Sequence, residues 1–215
     1  MKLDKSSMLL YAVTDRAWLK NRSLSEAVEE ALKAGVTFLQ LREKDLDYYS
    51  FLQLAKEIKK ITDKYKVPYV INDNVDVAIA CGADGVHVGQ SDMEAKDVRK
   101  LIGPDKILGV SAQTVGQAIL AEQNGADYIG VGTIFPTPTK PDAEAVSFET
   151  LKEICNAVSI PVVAIGGINA DNAIKLEGSG IAGIAVVSAI FAQDDITTAV
   201  KRLHQISSRL ISHEI

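Results

Sequence analysis

The stretch VINDNVDVAIACGADGVHVGQSD, residues 70–92, contains two short apolar runs, VIN and DGVHVGQ, each ending close to an aspartate, Asp73 and Asp92. Between them, the phrase ACGADGVHV (80–88) ends a helical segment on glycine and turns straight into a strand. The phrase has echoes in KAGVTFLQL (33–41), QNGADYIGV (123–131) and GSGIAGIAV (178–186). Weak self-similarity of this kind is what a repeating strand–helix unit leaves in a sequence.

Working outward, β-branched runs punctuate the whole chain: MLLYAVT (8–14), VTFLQLR (36–42), VPYVIN (67–72), DGVHVG (84–89), KILGVS (106–111), DYIGVGT (127–133), IPVVAIGG (160–167) and GIAVVS (183–188). Most are nearly continuous in apolar residues, without the alternation of a sheet wetted on one face. That pattern fits parallel strands covered on both sides. Between them lie segments of helical period. SLSEAVEEALKAG offers Ser23 or Ser25 as a cap and stops at Gly35, and DYYSFLQLAKEIKKITDKY repeats apolar residues at Leu54, Ile58 and Ile61. TVGQAILAEQNG, SFETLKEICNAV and NADNAIKLEGSG behave similarly, and DDITTAVKRLHQISSRLI reads as an amphipathic helix with an acidic start. Eight strand–helix units predict an α/β fold, a (β/α)8 barrel in one domain spanning 1–215. An open doubly wound sheet is the alternative, but no strand-linked GxGxxG supports a dinucleotide fold.

The chain has 215 residues, 47% of them apolar and 24% charged, a composition that belongs to a folded globular protein rather than a disordered one. A net charge of −5 gives no bias toward nucleic acid or acidic membranes, so any bound anion must be held by local charge or by a metal. No run approaches the roughly 18 apolar residues of a membrane span, and the charged start does not look like a signal peptide. Cys81 and Cys155 lack metal-ligand spacing and read as small core residues. A cytoplasmic setting is the expectation.

In such a barrel the chemistry gathers at the carboxyl ends of the strands. Asp73 and Asp92 follow the third and fourth strands, which are neighbours, so they could face one cation; hard oxygens suit Mg2+. The alternative is two unrelated turn or cap residues. Arg42 and Lys44 follow the second strand, in the run Gln40-Leu41-Arg42-Glu43-Lys44. They suit phosphate oxygens, or else an exposed salt bridge with Glu43 or Asp45. The loop GTIFPTPTKPDA (132–143) is stiffened by three prolines, while Thr137 and Thr139 offer hydroxyls and Lys140 a charge, with a merely structural Pro-rich turn as the alternative. Gly166 and Gly167 would let backbone N–H groups approach an anion near the last two strands. Two anion sites result, fitting either two phosphorylated substrates or a single bisphosphate. His87 reads as an interior polar residue satisfied by hydrogen bonds, with a general base as the alternative, and Trp18 reads as packing locally.

The motifs YAVTDR, LQLREK, IND, GADGVHVGQSD, IGVGTIFPTPTKPDA, IPVVAIGGI and GIAVVSAI, in this order across residues 11–190, resemble the thiamine-phosphate synthase family. The resemblance implies a TIM barrel joining a pyrimidine pyrophosphate to hydroxyethylthiazole phosphate with release of pyrophosphate. It further implies that the segment from Gln40 through Leu41, Arg42 and Glu43 to Lys44 meets the pyrimidine substrate together with Asn72, Ser111 and Lys140. Of these, Arg42, Lys44, Ser111 and Lys140 would act in catalysis. Asp73 and Asp92 would hold one Mg2+. Thr137, Pro138, Thr139, Gly167, Val187 and Ser188 would receive the thiazole phosphate. The mechanism implied is dissociative and needs no general base. Asn74 departs from the pattern, standing where many members carry Arg. The partners expected are two small phosphorylated substrates, with no nucleic acid or membrane, and a homo-oligomer is left open. A thiazole tautomerase-like or regulatory phosphate-binding barrel is the nearest rival; it would need only the monophosphate site. A phosphosugar isomerase would need a strand-end base, and a non-catalytic sensor would release no pyrophosphate.

Overall fold

A computed structural model describes residues 3–19, 22–137 and 145–212. Eight parallel strands close into a barrel in sequence order: β1 (Leu10–Val13), β2 (Phe38–Leu41), β3 (Tyr69–Asn72), β4 (Gly85–Val88), β5 (Ile107–Ala112), β6 (Tyr128–Val131), β7 (Val162–Ile165) and β8 (Gly183–Val186). The last strand pairs with the first through Leu10↔Ile184, Tyr11↔Ala185 and Ala12↔Val186. The (β/α)8 architecture expected from the periodic apolar runs is therefore the one observed. All but β5 are shorter than the runs, because outer residues of those runs form turns around the strands.

Nearly every strand residue is buried, so the continuous apolar runs have a direct cause: one face meets the helices and the other meets the barrel interior. Leu10, Ala12, Leu39, Leu41, Tyr69 and Ile71 point outward into the layer shared with the helices. Tyr11, Val13, Phe38, Val70, Ile107, Tyr128 and Val163 point inward and fill the lower barrel over Met8. Each large apolar side chain buried this way contributes about 1.5–3 kcal/mol. Inside, the rings of Tyr11, Phe38 and Tyr128 meet edge to face, with centroids 4.6, 5.6 and 5.8 Å apart.

The helical layer follows local signals. Helix α1 (Leu24–Ala34) begins at Ser23, which forms a full capping box with Glu26, and ends at Gly35 with φ 121°. Helix α2 (Tyr48–Tyr65) is capped by Asp47. Asn74 is the cap of α3 (Val75–Cys81), accepting from the Val77 amide at 2.9 Å, so it serves the local backbone. Helices α4 (Ala95–Ile102), α5 (Val115–Gln123) and α6 (Phe148–Ala157) complete the regular units. The expected helix in NADNAIKLEGSG is reduced to a 3-10 turn, Ala173–Leu176. Asn169 and Asn172 bond the backbone locally at its start, and Gly178 and Gly180 take positive φ at its end. The chain closes with the short α7 (Ser188–Phe191) and the long α8 (Ile196–Ser212), which packs on α1. Cys81 is buried and Cys155 half-buried. Among the described residues no helix is long and apolar enough to cross a membrane.

Candidate active site

The carboxyl ends of the strands surround a cavity of about 470 Å3. Gln40, Arg42, Lys44, Asn72, Asp73, Asp92, Ser111, Thr137, Gly167, Val187 and Ser188 all line it. Residues separated by up to 148 positions thus share one wall-to-wall space, as the barrel register requires. Pro138, Thr139 and Lys140 lie outside the described residues.

Strand alternation explains which members of the run from Gln40 to Lys44 reach the cavity. Gln40, Arg42 and Lys44 face it, whereas Leu41 is buried in the helix-facing core and Glu43 turns away to Arg16. The Glu43 side chain is only 4% exposed; one oxygen accepts from the Arg16 guanidinium and the other, Oε1, has no hydrogen-bond partner among the described residues. Burial pushes its carboxyl above the usual range, against the pull of Arg16 and with some help from Asp15 and Asp45.

Arg42 is positioned twice. Its amide donates to Thr14 Oγ1 at 3.0 Å, and its Nη1 lies 3.3 Å from Asp15 Oδ2. The ion-pair partner is neither Glu43 nor Asp45, the two acids nearest in sequence, but an acid from the loop after β1. Lys44 is exposed on the rim and has no ion pair among the described residues.

Asp73 and Asp92 sit on one wall. The Asp73 amide donates to the His87 carbonyl at 2.8 Å, tying the tip of β3 to β4, and the residue adopts φ 61°. A left-handed conformation at a non-glycine residue costs about 1–2 kcal/mol and persists where the surroundings impose it. Asn72 Nδ2 donates to Asp73 Oδ2 at 2.6 Å, and the Gly89 amide donates to Asp92 Oδ2 at 2.7 Å, so both carboxylates are steadied through one oxygen. Two hard-oxygen donors held this way fit a divalent cation that takes its other ligands from water and substrate. Among the described residues no group of three or more His, Cys, Asp or Glu is arranged to hold a metal.

On the opposite wall, Gly166 and Gly167 have φ 101° and 65°. A side chain at Gly167 would come within 2.5 Å of the carbonyl oxygens of Phe135 and Pro136, so the glycine is required by the close approach of the loop after β6. Asn172 holds the Gly167 carbonyl at 2.8 Å. Val187 is the cap residue of α7, which brings Ser188 to the rim.

His87 is buried, as expected of a satisfied interior residue: Nδ1 lies 2.9 Å from Tyr128 Oη and Nε2 lies 2.9 Å from Ser111 Oγ. Sequence reasoning missed Tyr11 and Gln113 as cavity residues, while Gln90 and Ser91 line the cavity beside Asp92 at the end of the fourth strand. Gln90 Nε2 donates to the Ser111 carbonyl at 2.7 Å. Nothing in the sequence marks Gln113, and the inward direction of Tyr11 is settled only when the barrel closes. Trp18 packs against the core. His204 lies on α8 beside Ser208, and His213 is outside the described residues.

Comparison with known proteins places this geometry. The family model for thiamine monophosphate synthase matches residues 10–190. The thiamine-phosphate synthase of Ruminiclostridium cellulolyticum is 57% identical over 202 residues, covering 94% of this chain and 96% of that protein. That of Clostridium tetani is 56% identical over 194 residues, covering 90% and 93%. The solved structure of thiamine phosphate pyrophosphorylase from Pyrococcus furiosus superposes with a TM-score of 0.89 at 38% identity, covering 96% of this chain and 98% of that one.

Proposed function

This chain belongs to the thiamine monophosphate synthase family, a family of transferases, and on that premise we propose that it joins 4-amino-2-methyl-5-hydroxymethylpyrimidine pyrophosphate to hydroxyethylthiazole phosphate. The products are thiamine phosphate and pyrophosphate. One observation carries the assignment of the site: Arg42, Lys44, Asp73 and Asp92 line the same cavity as Gly167, Val187 and Ser188. The first group suits a highly charged diphosphate and the second a monophosphate held by backbone and hydroxyl donors.

In the proposed reaction, the bond between the pyrimidine methylene carbon and the diphosphate oxygen breaks, and the electron pair leaves with the diphosphate. The electron-rich aminopyrimidine stabilises the cation that remains. The thiazole nitrogen then supplies its lone pair to form the new carbon–nitrogen bond. That nitrogen carries no proton, so no general base is needed. In keeping with this, both ring nitrogens of His87 are engaged within the barrel interior. Arg42 and Lys44, with Lys140 from the loop after β6, would stabilise negative charge on the departing group, while Gln40, Asn72 and Ser111 orient the pyrimidine substrate. Asp73 and Asp92 would hold Mg2+, which when bound neutralises part of the diphosphate charge.

Titration calorimetry with an unreactive pair, inorganic pyrophosphate plus Mg2+ and hydroxyethylthiazole phosphate, tests the two-site layout. Both ligands should bind at once, one each per chain. Mutual exclusion would point instead to a single bisphosphate-type site.

A further inference from the structure

We propose that Gln40, Tyr11, Tyr128, His87 and Ser111 form one hydrogen-bond chain of fixed polarity, which makes the Ser111 hydroxyl a donor toward the cavity. The inference deepens the two-substrate reading and takes the identity of the ligand from it; the chain itself stands on geometry alone.

The links run across the barrel interior. Gln40 Nε2 donates to Tyr11 Oη, the Tyr11 and Tyr128 hydroxyls are 2.8 Å apart, Tyr128 Oη is 2.9 Å from His87 Nδ1, and His87 Nε2 is 2.9 Å from Ser111 Oγ. Each hydroxyl has one proton to give. Tyr11 accepts from the Gln40 amide, so its own proton goes to Tyr128. Tyr128 is then an acceptor on that side, and its proton goes to His87 Nδ1. A ring nitrogen that accepts carries no hydrogen, so the His87 proton sits on Nε2 and is donated to Ser111. The Ser111 hydroxyl, having accepted, directs its own proton away from His87, on the side where Ser111 lines the cavity.

Two further observations support the chain. Burial pushes both phenols above their ordinary range, so each keeps the proton the chain requires. Space has also been left for it. A Cβ at Gly109 would overlap the Tyr128 hydroxyl and come within 2.5 Å of His87 Nδ1, and one at Gly130 would crowd the His87 ring at 3.2 Å.

The consequence is a cavity with a defined hydrogen-bond code. Gln40, with its nitrogen committed to Tyr11, can offer Oε1 as an acceptor, and Ser111 offers a proton. A ligand presenting an amine at the first point and an anionic oxygen at the second would match. Tyr11, Tyr128 and His87 are positioning residues, acting through Ser111 and Gln40.

The test begins with the wild-type chain, without substrate. The three histidines are labelled with 15N, and His87 is assigned by the loss of its signals in His87→Gln. At neutral pH the expected result is a neutral ring with hydrogen on Nε2 and a bare Nδ1. Hydrogen on Nδ1, or an imidazolium, overturns the polarity whether or not the chain makes thiamine phosphate. A wild-type chain that makes none would instead overturn the two-substrate reading and leave the tautomer result standing. Tyr128→Phe then removes the donor while keeping the ring. His87 should populate both tautomers, and kcat should fall about tenfold with KM for thiazole phosphate unchanged, the scale of one misdirected hydrogen bond. Tyr11→Phe, one link earlier, should scramble the tautomer in the same way. A drop in Tm with His87 signals and kcat intact would make these residues merely structural and overturn the proposal.

Discussion

The Asp73 amide donates to the His87 carbonyl at 2.8 Å, and this bond pins the tip of β3 to β4 while Asp73 holds a left-handed backbone. The residue lines the same cavity as Asp92. Asp73→Ala keeps the barrel and removes one of the two hard-oxygen donors. Turnover at saturating Mg2+ should fall by roughly 10²-fold or more, the scale of losing one preorganised charge stabiliser. Near-normal turnover would remove Asp73 from the proposed metal site.

Ser188 starts α7 and lines the cavity. Ser188→Glu places a negative charge where the thiazole phosphate is proposed to sit. Calorimetry should show that ligand lost and pyrophosphate with Mg2+ retained. Equal loss of both would contradict the division into two anion sites.

Gly109 faces Tyr128 and His87 in the barrel interior, with no room for a methyl group. Gly109→Ala should cost about 1–3 kcal/mol through overpacking, lowering Tm by several degrees, and should cut kcat as well. An unchanged Tm would show that the interior is looser than its close contacts imply.

Glu43 is an acid whose folded pKa is raised above its unfolded value, first by burial. Such a group contributes stability below the unfolded pKa and loses it as pH rises through the folded pKa. Glu43→Gln imitates the protonated form and does not titrate. The Tm of the variant relative to the wild type should therefore increase as pH rises from about 4, the ordinary glutamate value, through the raised folded value. A relative Tm that falls over this range would show that Arg16 outweighs desolvation.

The fold was legible because barrel strands are buried on both faces, which writes each strand as an apolar run, and because Ser23, Gly35 and their counterparts punctuate the helices. The 3-10 turn at Ala173–Leu176 was not legible. Its apolar residues keep helical spacing, but Asn169 and Asn172 compete for the backbone and the segment is too short to bury a stripe. At the site, strand ends pointed to Gln40, Arg42, Asn72, Asp73 and Asp92, all of which face the cavity. The partner of Arg42 did not emerge, since it comes from the neighbouring strand: the register Val13↔Gln40 brings Asp15 beside Arg42. Nor did the Tyr11–Tyr128–His87 links emerge, because inward and outward parity is settled only when the barrel closes.

The most direct measurement mixes the purified chain with the pyrimidine pyrophosphate, hydroxyethylthiazole phosphate and Mg2+, and quantifies thiamine phosphate and pyrophosphate together. The two should appear in equal amounts, and neither should form when either substrate is left out. Pyrophosphate released without thiamine phosphate, or no turnover at all, would contradict the proposed coupling of two phosphorylated substrates in this cavity.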